Sequence, residues 1–172
     1  MKKLVVFVLL FAGVASMSVK AGEIERYKSL FTLNFIRYIG WPDKADKGEF
    51  VIGVVRNRAL ADELRSQTEG KKVGFQTIVV KEFSSVDDIT PCHVIYVSDM
   101  INFSKTAQSI ASKAGSNALI ISESNNAISN GSMINFIVDN NLLKFEVSPK
   151  NAQVHGLTVS KALMSMNNAI LR

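Results

Sequence analysis

Cys92 and His93 stand side by side in this 172-residue chain, a thiol next to an imidazole, and they are the pair best suited to nucleophilic chemistry. The residues from His93 onward, HVIYV, read as a buried strand, and in a strand adjacent side chains point to opposite faces. A nucleophile and base so placed cannot share a proton. His93 is therefore expected to be a satisfied residue at a strand end. His155, the second histidine, falls in the turn before a final helix. Neither histidine has a Cys, His or Asp at ligand spacing, so no zinc site is expected. The chain has no Gly-x-Gly-x-x-Gly, no P-loop and no Gly-x-Ser-x-Gly elbow. No cofactor is expected, and the chain does not read as an enzyme. Cys92 is the one cysteine and cannot close an intramolecular disulfide; a buried, inert thiol is the expectation.

The elements that hold these residues follow from hydrophobic spacing. Met1-Lys2-Lys3 is a short positive start, and residues 4–14 (LVVFVLLFAGV) form an apolar run of signal-peptide length, too short for a membrane span. Val19-Lys20-Ala21 places small residues at −3 and −1, which predicts export to the periplasm with cleavage between Ala21 and Gly22. From residue 23 to 39, Ile24, Tyr27, Phe31, Phe35 and Tyr38 recur at helical spacing. Leu30, Leu33, Ile36 and Ile39 make that helix apolar nearly all round, and Gly40-Trp41-Pro42 ends it. Short apolar strands are predicted at residues 50–55, 77–80, 93–97 and 118–122, with helices at 60–66 and 102–114. Residues 133–138 and 142–147 flank Asp139-Asn140-Asn141 and read as an antiparallel hairpin. Val159, Ala162, Leu163, Met166 and Ile170 predict an amphipathic C-terminal helix from about Leu157.

Helices alternating with strands, then a hairpin, predict an α/β layered domain: a mostly parallel sheet edged by an antiparallel hairpin and flanked by helices. Residues 22–172 fit a single domain after a leader at 1–21. The formal charge of +5 is inflated by the leader. Without Lys2, Lys3 and Lys20 it falls to about +2, with no basic stripe, which argues against a nucleic-acid partner. After cleavage no run is long enough to span a bilayer. Self-association of the apolar first helix into a homodimer would hide its excess surface.

Four segments, in order, resemble the YfiR/HmsC-like family of small bacterial periplasmic regulatory proteins. They are residues 27–42 (YKSLFTLNFIRYIGWP), ending in Trp41-Pro42; Cys92-His93 opening a central strand; Asn130-Gly131-Ser132-Met133-Ile134-Asn135-Phe136; and Phe145-Glu146-Val147 followed by Asn151-Ala152, Gly156-Leu157 and Ser160 to Leu163. Lys144 stands where the family commonly has Arg, and Ser148 where it has Asn. Some members of that family carry disulfides linked to redox sensing, which Cys92 alone cannot reproduce within one chain. The resemblance implies a protein that binds the periplasmic domain of an inner-membrane diguanylate cyclase and restrains it, lowering cyclic-di-GMP and biofilm formation. A membrane sensor kinase is the other partner it allows. Aromatic residues are favoured interface anchors, so contact is expected at Tyr27, Phe31, Phe35, Tyr38 and Trp41, and near Phe145, Glu146 and His155. Ordinary core packing is the competing reading for Phe31 and Phe35. Pro42, Cys92, His93, Gly131, Asn135, Gly156 and Leu157 are expected to be structural. The alternative is a small-ligand-sensing binding domain with a pocket at the carboxyl ends of the parallel strands. A hydrolase would need a nucleophile and base brought together from afar.

Overall fold

The computed structural model describes residues 21–42, 48–139 and 142–172. The leader segment through Lys20 and Asn140-Asn141 of the hairpin turn lie outside the described residues. The elements are α1 (Ala21–Tyr38), β1 (Ile39–Gly40), β2 (Phe50–Val55), α2 (Arg58–Thr68), β3 (Lys72–Val73), β4 (Gln76–Phe83), β5 (Val94–Val97), α3 (Phe103–Ala114), β6 (Leu119–Ser122), β7 (Ile134–Asp139), β8 (Leu142–Val147), α4 (Pro149–Val154), β9 (Thr158–Val159), α5 (Lys161–Met164) and β10 (Ala169–Leu171).

Every residue of β2, β5 and β6 is buried, which is why these strands read as continuous apolar runs rather than alternating ones. They form the centre of an eight-stranded sheet in the order β10-β8-β7-β6-β5-β2-β4-β3. The run β4-β2-β5-β6-β7 is parallel, β8 returns antiparallel to β7, and β10 lies parallel to β8. The chain is thus α/β with a mostly parallel sheet. It leaves β2 for β4 on one side and β5 for β6 on the other. Right-handed crossovers then put α2 and α3 on opposite faces. Gly53, at the middle of β2, permits close packing: a Cβ there would fall 2.7 Å from the Phe83 ring and 2.8 Å from Ile95 Cδ1.

Polar caps set where helices begin. Asn57 Oδ1 accepts from Leu60 N–H at 3.0 Å, and Asn102, Ser148 and Ser160 cap α3, α4 and α5 in the same way. On its sheet-facing side α1 lays Phe31 and Phe35 against Phe136 of β7 and Phe145 of β8, with Phe35 and Phe145 4.7 Å apart, edge to face.

The C-terminal segment departs from the predicted amphipathic helix. Only α5 is helical there; β9 pairs antiparallel with β1, and β10 adds a strand outside β8. Met166, Asn167 and Asn168 interrupt the helical run. Asn168 Nδ2 donates to the Leu143 carbonyl at 2.8 Å and its own carbonyl accepts from Phe145 N–H at 2.9 Å, which diverts the chain onto the sheet. The hairpin is therefore not the outermost edge.

Cys92 is buried beside Gly53, and burial pushes its thiol from an ordinary 9.0 up to about 12, against the opposing pull of the Gly53 backbone and the Lys81 charge. The thiol is expected to stay silent toward a disulfide reagent at neutral pH until the protein is unfolded. A raised folded value means the unfolded chain releases its proton first. This stability contribution is complete below about pH 9 and lost as pH rises toward 12, at roughly 1.4 kcal/mol per pH unit. A melting series from pH 8 to 11 should show a shallower alkaline decline in Cys92→Ala than in the parent.

Candidate functional site

Parallel α/β sheets place their ligand crevice outside the carboxyl ends of the strands, where the strand order reverses. Here that point lies between β2 and β5. β2 runs into Arg56, whose φ is +59°, and Asn57; β5 runs into Ser98 and Asp99; β6 into Glu123 and Ser124. The first half of α1 meets these strand ends through Glu25 and Lys28, and Lys28 is buried. Lys28 Nζ donates to Glu25 Oε1 at 2.9 Å and to Glu123 Oε2, tying the helix to β6. Glu25 Oε2 accepts from Asn57 Nδ2 at 2.9 Å, tying the same helix to the start of α2. Desolvation alone would lower the Lys28 pKa, but the hydrogen bonds and charges of Glu123 and Glu25 outweigh it, and the value is raised.

Beneath this triad the Tyr96 hydroxyl is fully buried beside the Glu123 carboxylate without meeting hydrogen-bond geometry. Burial, with the charges of Glu123 and Glu25 added to it, raises its pKa well above 10.0. Above the triad a cleft of about 340 Å³ opens between α1, the β6 end and the β7–β8 hairpin.

The polar edge continues across the sheet. Ser122 Oγ and Ser124 N–H, on either side of Glu123, both donate to Asn135 Oδ1, at 2.8 and 3.0 Å. Asn135 Nδ2 donates to Glu146 Oε2 at 2.9 Å, and Arg172 Nε donates to Glu146 Oε1 at 2.7 Å.

The opposite, amino edge holds the aromatic residues. Trp41 stands edge-on to Phe50 at 5.5 Å, and Phe50 stacks on His93 at 4.6 Å. Trp41 Nε1 donates to the Asn117 carbonyl at 3.1 Å, and Asn117 Nδ2 donates to the His155 carbonyl at 2.9 Å. His93 Nδ1 accepts from Val51 N–H at 3.1 Å, so the neutral ring carries its proton on Nε2. Among the described residues no group of three or more His, Cys, Asp or Glu is placed to hold a metal ion.

A family model described as YfiR/HmsC-like matches residues 25–167. The chain belongs to the YfiR/HmsC-like family. No curated protein matches it. The segments that carry the YfiR/HmsC-like resemblance prove to be pairs of residues that hold each other. Trp41 and His93 meet across Phe50, as above. Asn135 and Glu146 are a directly opposed pair in the β7–β8 register, joined side chain to side chain. Asn151 Nδ2 donates to the carbonyls of Ile128 and Ser132, docking α4 on the turn that ends at Gly131. Gly131 has φ +101° and Gly156 φ +70°, conformations that favour glycine, and Leu157 is buried behind Gly156. Ser148, which stands where YfiR/HmsC-like chains commonly have Asn, still caps α4 through its Oγ, so the exchange keeps the chemistry.

The residues expected to touch a partner are spread over three settings. Tyr27 is 53% exposed. Phe35 and Phe145 are fully buried in the α1 aromatic cluster, and Phe31 and Tyr38 pack against it. Trp41 and His155 are half-buried at the amino edge, with Pro42 exposed beside Trp41, and Glu146 is held by Asn135 and Arg172. The triad of Glu25, Lys28 and Glu123 was not legible as a site. Its signal is a lysine at an inward position of an apolar helix, four residues after Ile24 and three before Phe31.

Proposed function

We propose that this protein is a periplasmic regulator that binds the periplasmic domain of a membrane-bound diguanylate cyclase, or of a sensor kinase, and restrains it by contact. The match to the YfiR/HmsC-like family over residues 25–167 carries this reading, because that family is known for regulating diguanylate cyclases in the periplasm. No described helix is long and apolar enough to cross a membrane. With cleavage between Ala21 and Gly22, the domain at work is residues 22–172.

The contact surface we favour is the outer side of α1, where Tyr27 and Leu30 are exposed, extending toward the half-buried Trp41 and His155 at the amino edge. Phe31, Phe35, Tyr38 and Phe145 shape that helix from beneath. Self-association through the same surface would give a homodimer, which partner binding would have to displace.

A pull-down with the periplasmic domain of a co-encoded cyclase tests the reading. Binding is expected, and Tyr27→Asp together with Leu30→Asp should weaken it about tenfold or more while leaving the melting curve unchanged. Absence of binding to any co-encoded cyclase or kinase would overturn the function. Binding that ignores both substitutions would move the surface elsewhere.

A further inference from the structure

We propose that the tip of the β3–β4 hairpin, with the basic groove behind it, docks on a membrane surface that carries anionic phospholipid.

In this hairpin Lys72 stands opposite Thr77 and Val73 opposite Gln76, so Gly74 and Phe75 alone make the turn. Gly74 has φ +56°, a conformation favoured by glycine at the first central position of a two-residue hairpin turn. So short a turn leaves its second residue nothing to fold against. Phe75 is 93% exposed, the most exposed large apolar side chain among the described residues. β3 is also the last strand of the sheet, which puts the turn at the outer margin of the molecule. A ring on a convex point needs a matching pocket in a protein partner. A bilayer interface takes it without one.

Charge points the same way. Behind the turn, a groove of about 300 Å³ lies between the second half of α1 and the hairpin. Its apolar lining comes from Leu33, Ile36, Val73 and Ile78, while Arg37, Lys71 and Lys72 are its exposed cations. None of these three has an ion pair or a side-chain hydrogen bond among the described residues. The described lining contains no acid. Glu69 lies two residues before Lys71, and Glu49 meets the hairpin through its backbone carbonyl, which accepts from Gln76 Nε2 at 3.3 Å. Lysine at a sheet edge also guards against edge pairing. That role needs no exposed ring beside it, and Arg37 on α1 does not serve it. An anionic bilayer meets both features: its phosphates take the cations, and its interfacial layer takes the ring. Each cation held near such a surface strengthens binding about fivefold. Arg37 lies two turns beyond Leu30, so the lipid contact adjoins the proposed partner surface without sharing its residues.

The test uses the protein recovered after export of the full chain, mixed with sucrose-loaded vesicles and sedimented. Vesicles of phosphatidylglycerol and phosphatidylcholine in equal parts should carry it down, and phosphatidylcholine vesicles should not. Raising salt from about 50 to about 500 mM should release it. Lys71→Gln combined with Lys72→Gln should weaken binding about twentyfold, and Phe75→Ser about fivefold. All three positions are exposed, so the melting curves of these variants should match the parent's. Phe75→Trp should keep binding and gain a blue-shifted emission on phosphatidylglycerol vesicles, the mark of a ring that has left water. The proposal is overturned if phosphatidylglycerol vesicles carry down no more protein than phosphatidylcholine ones, or if either the lysine or the Phe75→Ser variant binds as the parent does. Capture by polyglutamate instead of vesicles would overturn it too, and would give the patch to an acidic protein. None of these outcomes bears on the pull-down with a cyclase, whose variants are at Tyr27 and Leu30.

Discussion

Replacing Lys28 by methionine is expected to lower the unfolding free energy by about 3–5 kcal/mol, enough to bring a domain of this size close to its limit. The side chains of Lys28, Glu25 and Glu123 are only 10%, 13% and 12% exposed. Methionine has nearly the same reach and fills the same space, so packing is preserved while two carboxylates lose their shared cation. The cost comes from the charges left behind rather than from the bond removed. The combination of Glu25→Gln, Lys28→Met and Glu123→Gln should therefore recover much of the loss, since replacing a whole buried ion group by neutral residues is often nearly free. Urea midpoints of the parent, the single and the triple variant decide the matter. A single variant within about 1 kcal/mol of the parent would mean that water reaches the triad and screens it. The raised pKa of Lys28 has a consistent sign: its contribution is complete below about pH 10.4 and disappears as pH climbs through the higher folded value.

Phe35→Ala is the second large effect, again about 3–5 kcal/mol, and it separates the two roles mixed on α1. The Phe35 ring is fully buried, 4.7 Å from Phe145, 5.6 Å from Phe136 and 6.1 Å from Phe31, so its removal opens a cavity those three cannot easily close. Tyr27→Ala, two turns earlier and more than half exposed, should change stability by no more than about 0.5 kcal/mol. Thermal or urea unfolding measures both. If partner binding falls in Phe35→Ala only in proportion to lost folded protein, but falls in Tyr27→Ala with the fold intact, the helix has a core side and a contact side. Equal destabilisation by both would place Tyr27 in the core as well.

Much of the fold was legible because its central strands are buried on both faces. Phe50–Val55 and Leu142–Val147 lie where the apolar run and the alternating pattern put them. Sequence periodicity could not separate α1 into roles. Tyr27, Phe31 and Phe35 share a stripe by spacing, and only the depth of their contacts with β7 and β8 sorts them. The C-terminal misreading has a similar cause. Leu163 and Met166 do keep helical spacing, but pairing with β8 outweighs the propensity of a segment that contains Ser165, Asn167 and Asn168. The carboxyl-edge cluster was hidden for another reason. Glu25, Lys28, Asn57, Tyr96, Asp99 and Glu123 come from four separate stretches, and no short motif joins them. The resemblance, by contrast, rested on residues such as Asn135 and Glu146 whose pairing is a matter of register.

The bond from Lys28 to Glu123 joins residues 95 positions apart, and β1 finds its partner β9 farther along still. The first helix among the described residues is thus among the last elements to find its place. Its aromatic side must wait for Phe136 and Phe145, and until then it is sticky, unpaired surface. Such long-range closure slows folding and exposes intermediates to aggregation. A chain built this way stays open until nearly all of it has been delivered, so an escorting chaperone that holds α1 during synthesis would do more for its yield than one acting on the finished domain.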